Sequence, residues 1–217
     1  MERNTRNIKI GYGIPTYNRY DILGENLPYY GKDFMLSVKG DYHLCIVDNG
    51  NQNIDYEDAC VIRNQKNVGV AAAWNQICEN LFSNGFTHVV ILNDDIYLGK
   101  TENELIKLVE RKPESLIRAS IDWCAFIIPK KIYEKVGKFD ECFYPAYYED
   151  KSYEYRMKLC GAHMYKTPQL IPKRYRSSAS LEKDPSILEY SKKNKKLYIE
   201  MWGGEPEREK YKTPYNA

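Results

Sequence analysis

Two short stretches, Tyr42 to Val47 and Thr87 to Leu92, carry β-forming apolar residues without alternation through their centres. A strand with one wet face alternates polar and apolar residues; a strand without that alternation is buried on both faces, the habit of parallel sheets with helices above and below. Each stretch stops abruptly in acids and amides, Asp48–Asn49–Gly50 after the first and Asn93–Asp94–Asp95 after the second. Ile8, Ile10, Tyr12 and Ile14 alternate with Lys9, Gly11 and Gly13 and predict an earlier strand ending at Pro15, because proline brings no N–H to a ladder. Trp123 to Ile128 predicts another buried strand.

Between the strands the period changes to that of a helix. Val70, Ala73, Trp74, Ile77 and Leu81 share one helical face, entered through Gly69, and Trp74 on that face is expected in the core. Thr101 and Glu104 form a capping-box pattern for a helix through about Arg111, stopped by Pro113. Glu149 to Cys160 predicts a helix ending at Gly161, and Asp184 with Pro185 opens one running to about Met201. Trp202 to Ala217 is expected to be irregular. This alternation predicts an α/β fold: one Rossmann-like domain, a mainly parallel central sheet flanked by helices, with a helical C-terminal extension.

Composition excludes several classes. At 217 residues the chain suits one substantial core, and no run of about 18 apolar residues is present, so no integral membrane segment is expected. The opening MERNTRNIKI lacks the apolar stretch and cleavage site of a secretory signal, which predicts a cytoplasmic protein. Cys45, Cys60, Cys78, Cys124, Cys142 and Cys160 form no CxxC pair and His43, His88 and His163 are isolated, arguing against structural zinc; several of the cysteines sit inside apolar runs (LCIV, WCAFII) and are expected as small buried hydrophobes. A net charge of +2 gives no reason to invoke nucleic acid. Lys192, Lys193, Lys195 and Lys196 are expected on a solvated helix face. Gly11 and Gly13 run into Pro15, so the GxGxxG turn of a nicotinamide oxidoreductase is missing.

In open α/β sheets ligands bind beyond the carboxyl ends of the strands. Three polar clusters stand there: Pro15–Thr16–Tyr17–Asn18–Arg19, Asp48–Asn49–Gly50, and Asn93–Asp94–Asp95. Adjacent carboxylates resist simultaneous ionisation unless a cation compensates, and Mg2+ or Mn2+ takes one or two carboxylates together with substrate phosphates. Asp95 is the expected direct ligand, with Asp94 nearer a sugar or ribose. Each cluster alone is equally a turn, since Asp and Asn serve turns routinely.

In order, IPTYNR (Ile14 to Arg19), VDNG (Val47 to Gly50), NVGVAAAWN (Asn67 to Asn75), LNDDI (Leu92 to Ile96), VGKFDECFYPAYYED (Val136 to Asp150) and WGG (Trp202 to Gly204) resemble family 2 glycosyltransferases of the GT-A fold. The chain also resembles compact glycosyltransferase domains of large algal DNA viruses, which decorate capsid glycoproteins. The resemblance implies an inverting, Mn2+- or Mg2+-dependent transfer from a nucleotide-diphosphate sugar, UDP-sugar favoured, to a glycan or glycoprotein hydroxyl, in the host cytoplasm if the chain is viral. It implies a nucleotide-binding half at about 1–98, an acceptor-side half at about 99–180, and a C-terminal helix and tail at about 181–217.

Residue by residue, the resemblance implies that Pro15, Thr16, Tyr17 and Arg19 line the nucleotide pocket and that Asp48 binds base or ribose. Asn67, Gly69 and Asn75 would shape the donor cradle. Asn93, Asp94 and Asp95 would meet the donor, with Asp95 on the metal. Glu149 and Asp150 match the acidic pair near the acceptor, Asp150 as the base. Glycine at position 69 permits close approach of a ligand, and the helix after it offers N–H groups to phosphate. Glu149 and Asp150 equally suit the positive end of the helix they open. Where the family often places a histidine, IPKRYRSSAS offers Lys173, Arg174 and Arg176. Asp122, Trp123, Tyr147 and Tyr148 are either an acceptor surface or ordinary packing. A non-catalytic nucleotide-sugar or glycan-binding module of the same fold is the alternative reading.

Overall fold

The computed structural model describes residues 8–25, 44–57, 59–96, 101–120, 122–167, 170 and 185–217. Its strands are β1 (Ile10–Thr16), β2 (Leu44–Asp48), β3 (Ala59–Arg63), β4 (His88–Leu92), β5 (Leu116–Arg118), β6 (Ala125–Pro129) and β7 (Met164–Lys166). Its helices are α1 (Val70–Ser83), α2 (Glu102–Arg111), α3 (Lys130–Val136), α4 (Glu149–Leu159) and α5 (Ile187–Trp202), with a 3-10 turn at Pro214–Asn216. The strands form one seven-stranded sheet in the order β3-β2-β1-β4-β6-β5-β7. β6 runs antiparallel to both β4 and β5, and the remaining pairings are parallel.

β4 is buried at all five positions, and its alternate side chains feed two cores. Val90 and Leu92 join Tyr12, Ile14, Ile127 and the α2 residues Leu105, Leu108 and Val109 on one face. Val89 and Ile91 join Trp74, Ile77 and Leu81 of α1, Ile132 of α3 and Tyr153 of α4 on the other. This two-sided burial is what an apolar strand without alternation demands. Trp74 is core, packed edge-on against Phe126 and Phe139.

β1 sits between β2 and β4 and alternates large and absent side chains. A Cβ on Gly13 would collide with Ile77, and one on Gly11 would press on Leu81 and Phe86. The glycines thus let α1 lie close on the strand. Because Ile77 faces Gly13 and Leu81 faces Gly11, α1 runs antiparallel to β1 and begins at the carboxyl edge of the sheet.

Several local expectations need correction. Thr101 takes helical dihedrals (φ −76°, ψ −12°) with no side-chain cap hydrogen bond, so the capping box does not form there; Glu102 and Glu104 complement the helix dipole instead. The strand around β1 extends one residue past Pro15, which pairs with Val47 in a parallel register. β3, β5, β7 and α3 were not expected, being short or only partly buried. Tyr42 and Asp184 lie outside the described residues; α5 is preceded by Ser186 and ends at Gly203 in the left-handed region. Lys192, Lys193, Lys195 and Lys196 are exposed on α5. All six cysteines are free, and Cys45, Cys78 and Cys124 are buried. Among the described residues no helix is long and apolar enough to cross a membrane.

The β1–α1 contact predicts that Gly13→Ala lowers stability by about 1–3 kcal/mol, the usual penalty for overpacking a filled core. The double variant Gly13→Ala/Ile77→Ala should be more stable than the sum of the two single losses, because the second change vacates the space the first needs. Urea denaturation of the four proteins measures both; strict additivity refutes the contact.

Candidate functional site

The carboxyl ends of β1, β2 and β4 meet the start of α1 around one cleft. Its lining combines polar residues (Thr16, Tyr17, Asn49, Asn67, Asn93, Asp94) with apolar ones (Pro15, Val70, Pro145, Ala146, Ile187). A second cavity lies at the opposite end of the sheet around His88, whose Nε2 and Nδ1 are engaged by Pro113 O and Thr87 Oγ1.

Thr16 is buried at the end of β1, and its hydroxyl donates to Asp94 Oδ2 at 2.8 Å. Burial pushes the Asp94 carboxyl up to about 7; the Thr16 hydroxyl and Arg19 hold it down, while neighbouring Asp95 and Asp21 push it higher. Asp95 follows in the same turn and is buried, 6% exposed. Two hard-oxygen groups thus stand side by side at the end of the central strand. Tyr17 is 37% exposed at the cleft.

Other expected site residues serve the walls. Asp48 is fully buried and turns its carboxylate onto its own loop, accepting from Gly50 N at 3.1 Å, Gln52 N at 2.8 Å and Gln52 Nε2 at 3.3 Å. Arg19 is buried and paired with Asp21 at 3.1 Å, close enough to Asp94 to act on its charge but not part of the cleft lining. Asn67 Oδ1 accepts from Gly69 N at 2.8 Å. Asn75 faces away from the cleft: it donates to Phe139 O and Glu141 Oε1 and accepts from Phe139 N, which ties α1 to the 139–141 segment.

Gly69 has φ +88°, and a Cβ there would press on Tyr144 and Pro145. What approaches this glycine closely is therefore protein rather than ligand. Val70 N donates to Pro145 O at 2.8 Å, so the first amide of α1 is taken by the same segment and is not offered to phosphate.

Glu149 and Asp150 occupy the first turn of α4, after Tyr147 and Tyr148 in left-handed conformations (φ 75° and 76°). Glu149 is 5% exposed, and its Oε2 has no hydrogen-bond partner. Burial, then the charge of Asp150, pushes the Glu149 carboxyl well above the usual range. Burial also raises Asp150, but Lys151 and the backbone amides oppose it, Lys151 N donating to its Oδ1 at 2.8 Å. Neither acid is in the described cleft lining.

The sequence did not single out Val70, Pro145, Ala146 or Ile187 as cleft residues, nor Asn194, which binds the backbone beside Pro145. Asn194 is buried on α5 with Tyr198, Met201 and Trp202. Trp123 is buried and donates from Nε1 to Glu154 at 2.8 Å, so it is packing. Lys173, Arg174 and Arg176 lie outside the described residues.

No protein-family profile matches the chain, and no curated protein matches it. Solved structures do. The mannosyltransferase PcManGT from Pyrobaculum calidifontis, in complex with GDP-Man and Mn2+, aligns with a TM-score of 0.54 at 13% identity over 85% of this chain. S. aureus TarS 1-349 aligns with 0.54 at 13% over 77%, and GalNAc-T7 with UDP, GalNAc and Mn2+ with 0.61 at 10% over 91%. The alignments take in 63%, 59% and 48% of those chains, so this chain spans less than two thirds of each.

The Asp94 environment generates a pH test. A folded-state carboxyl near 7 against an ordinary 3.8 is a raised acid. Its contribution to stability is complete below about pH 4 and is lost as pH rises towards 7, because the unfolded chain ionises first. In chelator, Asp94→Asn should flatten that part of the stability–pH curve relative to wild type, as read by urea denaturation; identical curves refute the assignment. At this level of identity the likeness carries the fold: the chain has the mixed, mostly parallel sheet with flanking helices of the GT-A glycosyltransferases.

Proposed function

We propose that this chain is a glycosyltransferase that moves a sugar from a nucleotide-diphosphate donor, a UDP-sugar by preference, to a glycan or glycoprotein hydroxyl with inversion. The observation that carries it is the convergence of Thr16, Asn49, Asn67, Asn93 and Asp94 on one cleft beside Asp95. A nucleoside offers flat apolar faces with polar edges and hydroxyls, and the cleft lining carries both apolar and polar groups.

The residues fit a divalent cation. Asp94 and Asp95 are adjacent hard-oxygen donors; burial, and then the charge of Asp95, opposes ionisation of Asp94, and a cation would relieve that opposition. Among the described residues no group of three His, Cys, Asp or Glu is placed to hold a metal; Mg2+ or Mn2+ is commonly held by one or two carboxylates together with substrate phosphates. Asp95 would hold the ion and Asp94, oriented by Thr16, would face the ribose or sugar. Bound there, Mn2+ or Mg2+ supplies charge stabilisation to the departing diphosphate.

Asp150 takes the proton of the acceptor hydroxyl as that oxygen bonds to the anomeric carbon. The bond to diphosphate breaks on the opposite face, and its electron pair leaves with the diphosphate. Burial raises both carboxyls of the pair, Glu149 well above the usual range, whereas at Asp150 the charge of Lys151 and the backbone amides oppose it, which favours Asp150 over Glu149 as the base. A positioned base contributes about a hundred- to ten-thousand-fold.

Nucleoside diphosphate release from a panel of nucleotide sugars with Mn2+ tests the reading. Asp95→Ala should abolish metal-dependent donor binding, whereas Asp150→Asn should keep donor binding and lose about a hundredfold or more in kcat. Failure of every nucleotide sugar to bind the wild type refutes the proposal. Donor binding without release in the presence of acceptors would identify a binding module instead.

A further inference from the structure

The apolar lining of the cleft is built in part from a segment that could not hold its shape alone. Tyr147 and Tyr148 both have positive φ, a conformation that non-glycine residues adopt only when their surroundings impose it. Four consecutive carbonyls around them are held from outside the segment. Asn194, buried in α5 (2% exposed), directs one amide nitrogen to Tyr144 O at 3.2 Å, Ala146 O at 2.8 Å and Tyr147 O at 3.3 Å. The intervening Pro145 O accepts from Val70 N of α1 at 2.8 Å.

With those carbonyls drawn onto α5 and α1, the Pro145 and Ala146 side chains line the cleft, next to Ile187 from the first turn of α5. α5 is itself fixed in register. Tyr198 and Trp202 are buried against Phe143, Tyr148 and Tyr155, and Trp202 Nε1 donates to Ser152 Oγ of α4 at 3.0 Å. Asn194 therefore connects α5 to the segment that supplies Pro145 and Ala146 to the cleft lining.

We infer that Asn194 is a positioning residue for the donor: it holds Pro145 and Ala146 as the apolar wall against which the nucleoside packs, and so sets donor affinity without touching the reacting atoms. The inference rests on the nucleotide-sugar reading. It gives α5 a part in the binding site, beyond packing at the end of the chain.

Asn194→Asp keeps the size and removes the donor, placing carboxylate oxygen against backbone carbonyls; Asn194→Ala removes both. With UDP and GDP as probes in Mn2+, whichever binds the wild type should lose about tenfold or more in affinity in each variant, the scale of a lost buried hydrogen bond. In turnover, KM for the donor should rise while kcat changes by less than about threefold, a split that general loss of folded protein does not produce. Hydrogen exchange on the wild type needs no variant to fold: nucleotide should slow exchange at 146–148 and 187–194 as well as at 16–17 and 93–94. Protection at the strand ends alone, or unchanged affinity in a folded Asn194→Asp, overturns the inference. No nucleotide protection anywhere overturns the nucleotide reading, and this inference with it.

Discussion

Ile77 and Leu81 of α1 occupy the space that side chains at positions 13 and 11 of β1 would need, so helix and strand meet at a distance only glycine allows. The geometry of the carboxyl edge follows from that contact. With α1 seated antiparallel on β1, its first residues, Gly69 and Val70, stand beside Thr16 and Asn49, and the cleft is the gap left between them. The same seating carries Asn75 to the 139–141 segment, whose backbone it grips on both donor and acceptor sides. A short length of chain from there reaches the cleft wall and then the acids of α4.

The carboxylates near this edge are treated unequally, and the inequality separates structural from chemical duties. Asp48 is wholly buried and accepts backbone and side-chain N–H groups from its own loop. Asp94 receives one hydroxyl and stands beside another acid, so burial dominates and lifts it towards neutrality. Asp48 is thus bound into its own loop, while Asp94 lines the cleft. Glu149 and Asp150 repeat the contrast one step further on. Lys151 and its amide favour the charged form of Asp150, whereas Glu149 keeps a buried oxygen without a hydrogen-bond partner.

The parts of this arrangement legible in the sequence were those written in local pattern. Unalternating runs gave β2 and β4, the 3.6-residue spacing gave α1, and acids and amides after each strand marked the edge on which ligands are sought. The short strands β5 and β7 carry only three residues each and no period to read. The cleft wall was invisible for a different reason. Pro145, Ala146 and Ile187 become lining residues only through tertiary contacts, and Asn194 lies among lysines in KKNKK, a string that looks solvated throughout. At Gly69 the local pattern identifies the feature, and the tertiary structure shows which protein groups fill the space there. The glycine does permit a close approach, but Tyr144 and Pro145 make it.

Positive φ at two successive tyrosines raises the question of why glycine does not stand at either. Tyr148 answers for itself: its ring packs on Tyr198 of α5, so glycine would relieve the backbone and lose the aromatic contact that seats the helix. The left-handed turn at Tyr148 is also the N-cap of α4, and its carbonyl accepts from Ser152 N at 2.9 Å to begin that helix. One strained stretch therefore ends the cleft wall and starts the helix that presents Glu149 and Asp150. Beyond that stretch α4 has anchors of its own, Trp202 Nε1 donating to Ser152 Oγ and Tyr153 fully buried in the core, so the wall can shift without carrying the acidic pair with it.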